Sequence, residues 1–289
     1  MKIQGVYIPF ITPFLNGKID FNSYKRMIDY YLSNDISGII PLATTGESPT
    51  ISEYEYEEML EKTIEYCNNR VPIFVGVGGN CTSKVIDQFK LVEKYKIDGI
   101  LSVCPYYNRP DQRGIYEHFL KISEATDLNI IIYNIPYRTG RNIENDTIHK
   151  LAELKNIVAL KDSCGDIKQT TNLLMNPPKN LSILTGEDAL FYSTLTLGGD
   201  GGILASSHLH TKDFIDVYNA VKNNNHQLAL EKWKSLYRFI PMLFEEPNPA
   251  PIKYCLKILG IIDSAEVRLP LTEITNNLKD RLNNVLLEE

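Results

Sequence analysis

Asn129-Ile130-Ile131-Ile132-Tyr133-Asn134-Ile135-Pro136-Tyr137-Arg138-Thr139-Gly140 is a β-branched run stopped by a proline and a glycine. A second run, Asn156-Ile157-Val158-Ala159-Leu160-Lys161-Asp162-Ser163, follows a helical stretch and ends in an ammonium group. Strands apolar on both faces and joined through helices belong to a parallel sheet that helices cover. A lysine ending such a strand has to shed its water, which drives it toward the neutral amine that a carbonyl-attacking nucleophile requires.

The same alternation runs outward from these two strands in both directions. Strands are predicted at 5–12, 38–42, 71–77, 99–104, 129–134, 157–161, 181–185 and 200–204, with helices at 21–32, 52–66, 82–95, 114–125, 144–154, 166–174 and 189–197. Eight such units predict an α/β fold, a (β/α)₈ TIM barrel, over residues 1–224. A doubly wound open sheet is the competing architecture, but Pro9-Phe10-Ile11-Thr12-Pro13 after the first strand is no phosphate-binding fingerprint. Residues 225–289 contain no strand pattern and read as a C-terminal helical domain, with helices at 226–243, 250–259 and 272–287. Prolines at 247, 249, 251 and 270 punctuate it.

Composition narrows the function classes. The chain has 43% apolar and 23% charged residues, enough for a sizeable core. Its net charge of −6 and dispersed Lys and Arg argue against a nucleic-acid surface, though not against small anions held by single cations. No apolar run has the length of a membrane span, and the N-terminus enters a strand with no secretory pattern, so a cytoplasmic location is expected. Five cysteines, odd in number and without CxxC spacing, read as free thiols.

In a barrel, the C-terminal ends of the strands converge on one mouth. Those ends carry Thr44, Thr45, Tyr106, Tyr107, Tyr133, Arg138, Lys161, Gly186, Glu187 and Ile203. They hold a nucleophile, hydroxyls and a guanidinium, but not the acidic and histidine ligands of a metal site. Lys161 alone is open to two readings, a salt-bridged lysine or a Schiff-base nucleophile. As a nucleophile it attacks a ketone, forms an iminium and yields an enamine that joins a second carbonyl compound. Tyr133 lies level with it. A free phenol titrates near ~10, so it serves better as a relay shared with Thr45 than as a lone base. Tyr133 is also one of 17 tyrosines that fill space.

Ala43-Thr44-Thr45-Gly46-Glu47-Ser48 suits a carboxylate cradle and equally an ordinary loop. Arg138 carries the fork that matches a carboxylate in paired hydrogen bonds, or is a loop arginine paired with an acid. Arg109, Arg113 and Arg141 read as surface residues. The glycine clusters at 76–79 and 198–202 lack any dinucleotide or P-loop context. His208 and His210, two apart and without a third ligand, read as capping or packing residues, and Trp233 as core or interface.

Taken in order, Thr44-Thr45-Gly46-Glu47, Cys104-Pro105-Tyr106-Tyr107, Tyr133-Asn134-Ile135-Pro136 with Arg138-Thr139-Gly140, and Lys161-Asp162 before Gly165 resemble the dihydrodipicolinate synthase (4-hydroxy-tetrahydrodipicolinate synthase) family of pyruvate-dependent lyases. Gly186-Glu187-Asp188, Leu197-Gly198-Gly199, Asn248-Pro249-Ala250-Pro251-Ile252-Lys253 and Arg268-Leu269-Pro270 extend the resemblance over essentially all 289 residues. It implies the barrel with C-terminal helices, assembled as a homotetramer of two tight dimers. It also implies a condensation of pyruvate with L-aspartate 4-semialdehyde in lysine and diaminopimelate biosynthesis, with no cofactor. Lys161 then forms the Schiff base, and Tyr133 transfers protons through Thr45 to Tyr107, which reaches into the neighbouring subunit. Thr44 and Thr45 bind the pyruvate carboxylate, Arg138 binds the semialdehyde carboxylate, and Gly186 and Ile203 shape the pyruvate pocket.

Ala43, where the family usually has glycine, and Tyr137, where a small residue is common, depart from the pattern. A lysine effector site is implied at Ser48, Asn80, Lys84 and Tyr106. Lys84 stands where sensitive enzymes carry a glutamate for the effector's amino group, so weak or absent inhibition by L-lysine is expected. The sequence is also compatible with a pyruvate-dependent sugar-acid aldolase, such as N-acetylneuraminate lyase or a 2-keto-3-deoxy-sugar-acid aldolase, and with a catalytically silent barrel. Arg138 favours a short acidic aldehyde over a sugar acid.

Overall fold

A computed structural model describes residues 2–287. All eight predicted strands form: β1 (Gly5–Ile8), β2 (Gly38–Ile39), β3 (Phe74–Gly76), β4 (Gly99–Val103), β5 (Asn129–Asn134), β6 (Ile157–Asp162), β7 (Ser182–Thr185) and β8 (Gly201–Ile203). Their order in the sheet is β2-β1-β8-β7-β6-β5-β4-β3. The pairs β1–β2, β3–β4, β4–β5, β5–β6, β6–β7 and β7–β8 are parallel. Backbone bonds from Gly5 to Asp200 (3.0 Å) and from Leu204 to Tyr7 (3.1 Å) join β1 to β8. Parallel neighbours need a crossover, and the intervening helices supply it: this is the (β/α)₈ barrel.

Those helices are α1 (Phe21–Leu32), α2 (Glu53–Cys67), α3 (Thr82–Val92), α4 (Gln112–Ala125), α5 (Asn145–Leu151), α6 (Ile167–Met175), α7 (Phe191–Thr196) and α8 (Thr211–Lys222). Local signals explain most of their boundaries. Ser52 and Glu55 close a capping box on α2, while Asp20, Asp111 and Asp166 accept backbone N–H groups at the starts of α1, α4 and α6. The sequence offers no such signal for α8, whose N-cap His210 lies at φ 51° and makes no side-chain cap, and this eighth barrel helix is absent from the predicted elements. The first two strands end earlier than predicted, at Ile8 and Ile39, where Pro9 and Pro41 interrupt the ladder. A hairpin of Phe14–Leu15 and Lys18–Ile19 was also not predicted.

Two compact units divide the chain: residues 2–5 with 72–203, and residues 6–71 with 204–287. In the first, Ile100, Ile130, Ile131, Ile132, Ala159 and Leu160 are fully buried, with Phe89 of α3 and Phe119 of α4. In the second, Phe10, Tyr31 and His208 pack in tilted and edge-on contacts with ring centroids 5.4–6.0 Å apart. His208 spends both ring nitrogens there, Nε2 accepting from the Ile11 N–H (3.3 Å) and Nδ1 meeting the Ala205 carbonyl (2.8 Å). Burial pushes its pKa down to about 4, so it is a neutral packing residue.

The second unit also holds the C-terminal helices α9 (His226–Tyr237), α10 (Ala250–Ile258) and α11 (Asn276–Leu287). Helix α9 is shorter than the predicted 226–243 because Pro241 opens a separate 3₁₀ turn, Pro241–Phe244. No helix among the described residues is long and apolar enough to cross a membrane.

Candidate active site

In the first unit, β5 and β6 run in register with Tyr133 opposite Lys161. Neighbours in register on parallel strands point to the same side of the sheet. The Lys161 ammonium nitrogen accordingly lies 4.1 Å from the centre of the Tyr133 ring. Both side chains are buried, Lys161 to 5% exposure. Loss of water pushes the Lys161 pKa down to about 8; Asp188 opposes that shift and Arg138 adds to it. Burial raises the Tyr133 phenol above its ordinary value, so it stays protonated as a donor.

The next turn makes way for this lysine. A Cβ on Gly186 would lie 2.5 Å from both Lys161 Cε and Ser163 Oγ, so any other residue would displace the lysine. Asp188, two residues on, is buried. Ile203 at the end of β8 is fully buried. Asp162 turns away, its carboxylate accepting from Thr170 Oγ1 (2.6 Å) of α6 and from the Cys164 N–H (3.1 Å).

Arg138 sits on the helical turn Pro136–Thr139 that closes at Gly140, φ 74°. Asn134 pins the returning chain, its Oδ1 accepting from Ile143 N (3.0 Å) and its Nδ2 donating to Asn142 (2.8 Å). The guanidinium is exposed, donates through Nε to the Tyr137 hydroxyl (3.2 Å), and has no carboxylate partner among the described residues. The unusual Tyr137 therefore serves as a platform for Arg138.

In the second unit, the Thr44-Thr45 turn lies between two non-glycine residues in the left-handed region, Leu42 at φ 58° and Glu47 at φ 54°. Strain of this kind persists only where the surroundings impose it. Glu47 is fully buried and paired with Lys253 of α10, also fully buried. Its other carboxylate oxygen accepts from the Arg268 N–H (3.0 Å), and Lys253 also donates to the Glu266 carbonyl (2.8 Å). Thr45 is buried, and its hydroxyl accepts from Asn248 Nδ2 (3.1 Å). Glu47 thus braces the turn through an ion pair 206 residues away in sequence, beyond the simple helix brace its position suggests.

Tyr107 is 88% exposed at φ 71°, so its ring packs against little in its own chain, and Tyr106 is 40% exposed. Asn80 lies near them, its carbonyl accepting from Asn108 Nδ2 (2.9 Å), and Lys84 is exposed in the first turn of α3. Ser48 opens a 3₁₀ turn in the second unit.

The family model of the dihydrodipicolinate synthetase family matches residues 2–289. The chain belongs to that family. It is 62% identical over 286 residues to 4-hydroxy-tetrahydrodipicolinate synthase 2 of Clostridium acetobutylicum, covering 99% of this chain and 100% of the relative. The dihydrodipicolinate synthase structure from Thermotoga maritima superposes with a TM-score of 0.97 at 37% identity, over 100% and 99% of the two chains. The chloride-inhibited enzyme from Acinetobacter baumannii, solved with pyruvate, superposes at 0.96 with 33% identity over 99% of each chain. The family is one of Schiff-base-forming lyases, and in this chain Lys161 and Tyr133 stand in register with Gly186 packed against the lysine. Of the residues expected at the strand ends, Lys161, Tyr133, Gly186 and Ile203 are buried, and Arg138 is exposed on the turn after β5. The sequence reading did not single out Ser163, which follows Lys161 by two residues, or the Lys253 partner of Glu47, for which no local signal exists.

Proposed function

We propose that this chain condenses pyruvate with L-aspartate 4-semialdehyde to 4-hydroxy-tetrahydrodipicolinate, in the route to diaminopimelate and lysine. The observation that carries the reading is a buried amine with a pKa of about 8, held against a protonated phenol and packed on a glycine with no side chain to displace it.

The Lys161 amine adds to C2 of pyruvate, and the C2 oxygen leaves as water to give the iminium. That cation draws electrons as C3 loses a proton, and the enamine C3 bonds to the aldehyde carbon. The amine of the semialdehyde then adds to C2 and expels the Lys161 amine as the ring closes. Tyr133 moves the protons through Thr45, whose hydroxyl, already accepting from Asn248, keeps its own proton to donate. Thr44 and Thr45 take the pyruvate carboxylate, and Arg138, free of any acid partner, takes that of the semialdehyde.

Tyr107 completes the relay in a neighbouring subunit of a homotetramer built as a dimer of dimers; its exposure at positive φ supports this role. The reaction is cytoplasmic and needs no cofactor. At the effector site, the Lys84 ammonium repels the amino group of L-lysine, so activity is expected to persist at millimolar lysine. A titration giving strong inhibition at sub-millimolar lysine would sink that expectation.

Borohydride reduction in the presence of pyruvate tests the central step. A mass increase mapping to Lys161, followed by condensation with the semialdehyde, is the expected result. Cleavage of a sugar acid without condensation would move the chain to the aldolase branch, and no adduct in folded protein would make it a silent barrel.

A further inference from the structure

Asp162 and Ser163 follow Lys161 at the strand end, and only one of them can share its side. Alternate residues on a strand face the same way. Asp162 turns out to Thr170 of α6, while the Ser163 N–H continues the ladder to the Asn134 carbonyl (2.8 Å). Ser163 Oγ and Lys161 Cε each lie 2.5 Å from the point where a Gly186 side chain would begin, which places them within about 5 Å of one another. The serine is 1% exposed, and its hydroxyl meets no partner at full hydrogen-bond geometry. A weak hydrogen bond with Ser163 pulls the pKa of the Tyr133 phenol downward against the larger effect of burial, which places the serine hydroxyl beside that phenol.

A buried hydroxyl without a partner is costly, and native chains rarely keep one without a use. Orphanhood alone does not single out Ser163, because Ser102 Oγ on β4 is also buried and unpaired. Ser102 is the neighbour of Val103, which pairs with Tyr133, so it faces the opposite side of the sheet. Ser163 alone of the two shares the side of the amine.

We propose that Ser163 donates a hydrogen bond to the C2 oxygen of the keto acid as the Lys161 amine adds to it. This rests on the Schiff-base reading above. As the C–N bond forms, the carbonyl electron pair moves onto that oxygen, two bonds from the lysine nitrogen and within reach of a rotating hydroxyl. A donor already in place for charge that develops only during addition lowers the barrier without reorganisation. Ser163 thereby assists the first half of the reaction, whereas Arg138 serves the second.

The test compares wild type, Ser163→Ala and Ser102→Ala in the full chain. The readouts are the rate of borohydride-trapped adduct at sub-saturating pyruvate, kcat/KM for each substrate, and Tm. Ser163→Ala is expected to slow adduct formation and lower kcat/KM for pyruvate by roughly 10- to 100-fold. Its kcat/KM for the semialdehyde should stay near wild type, and its Tm should be unchanged or higher, since the orphan hydroxyl is gone. Ser102→Ala should leave all kinetic values in place. The proposal is overturned if Ser163→Ala traps at the wild-type rate, loses stability or fails to fold, lowers both kcat/KM values alike, or is matched by Ser102→Ala. Absence of any adduct in wild type would remove the Schiff-base reading itself, and this proposal with it.

Discussion

Lys161 and Lys253 are chemically the same residue in nearly the same solvent. Both are buried, both lie 4.1 Å from an aromatic ring centre, Tyr133 and Phe14 respectively, and loss of water pushes both down to a pKa of about 8. Their company differs. Lys253 is clasped by the buried Glu47 carboxylate and the Glu266 carbonyl, so its protons are spent on fixed acceptors. Lys161 has no hydrogen-bond acceptor among the described residues, and the nearby charges Asp188 and Arg138 act on it in opposite directions. Burial therefore leaves Lys161 with its charged form unsatisfied, the condition the proposed Schiff-base role needs, whereas it makes Lys253 a brace.

Replacing each lysine should break the pair apart in opposite ways. Lys161→Ala is expected to lower turnover by at least ~10³-fold and to abolish the borohydride-trapped adduct, with stability kept or raised. An adduct persisting in that variant, mapped to Lys253, would invert the assignment. Lys253→Met should keep the adduct at Lys161 but cost about 3–5 kcal/mol in urea unfolding, because Glu47 is left as an unpaired buried charge. Adding Glu47→Gln should recover most of that loss, and no recovery would show that the ion pair is not what Lys253 contributes.

Tyr133→Phe probes the ring beside the Lys161 amine and is expected to lower kcat by roughly 10²-fold while leaving Tm near wild type, since the aromatic contact remains. The smallest effect is in pH. With a folded pKa of about 8 at Lys161, adduct formation should rise about tenfold per pH unit below that value and level off above it. The same depressed pKa means that the unfolded chain binds the extra proton between about 8 and the unfolded value of ~10.4, so this group adds stability as pH rises through that window. Lys161→Ala should erase its part of that slope, measured by urea unfolding across the window.

Much of this was legible beforehand, and the reasons are local. Periods of apolar residues, prolines and the Asp and Ser caps mark the eight strands and most helices, because those signals act within a few residues. Helix α8 was not legible, since His210 caps nothing. Lys161 drew notice as a candidate nucleophile because an ammonium at the end of the run Ile157–Leu160 has no apolar excuse. Lys253, in Pro251-Ile252-Lys253-Tyr254, looks like an ordinary helix lysine, and its burial arises only from contacts made after folding.

The order of residues by itself determined the alternation of strand and helix and the identity of the groups at the strand ends. Both follow from side-chain period and backbone sterics. Tertiary structure alone decided which buried lysine stays unsatisfied, that the Thr44-Thr45 turn is tied to Asn248 and Lys253, and that the Ser163 hydroxyl stands beside the amine. A pKa and a hydrogen-bond partner depend on what the fold brings near, and here the deciding neighbours lie as far as 206 residues apart.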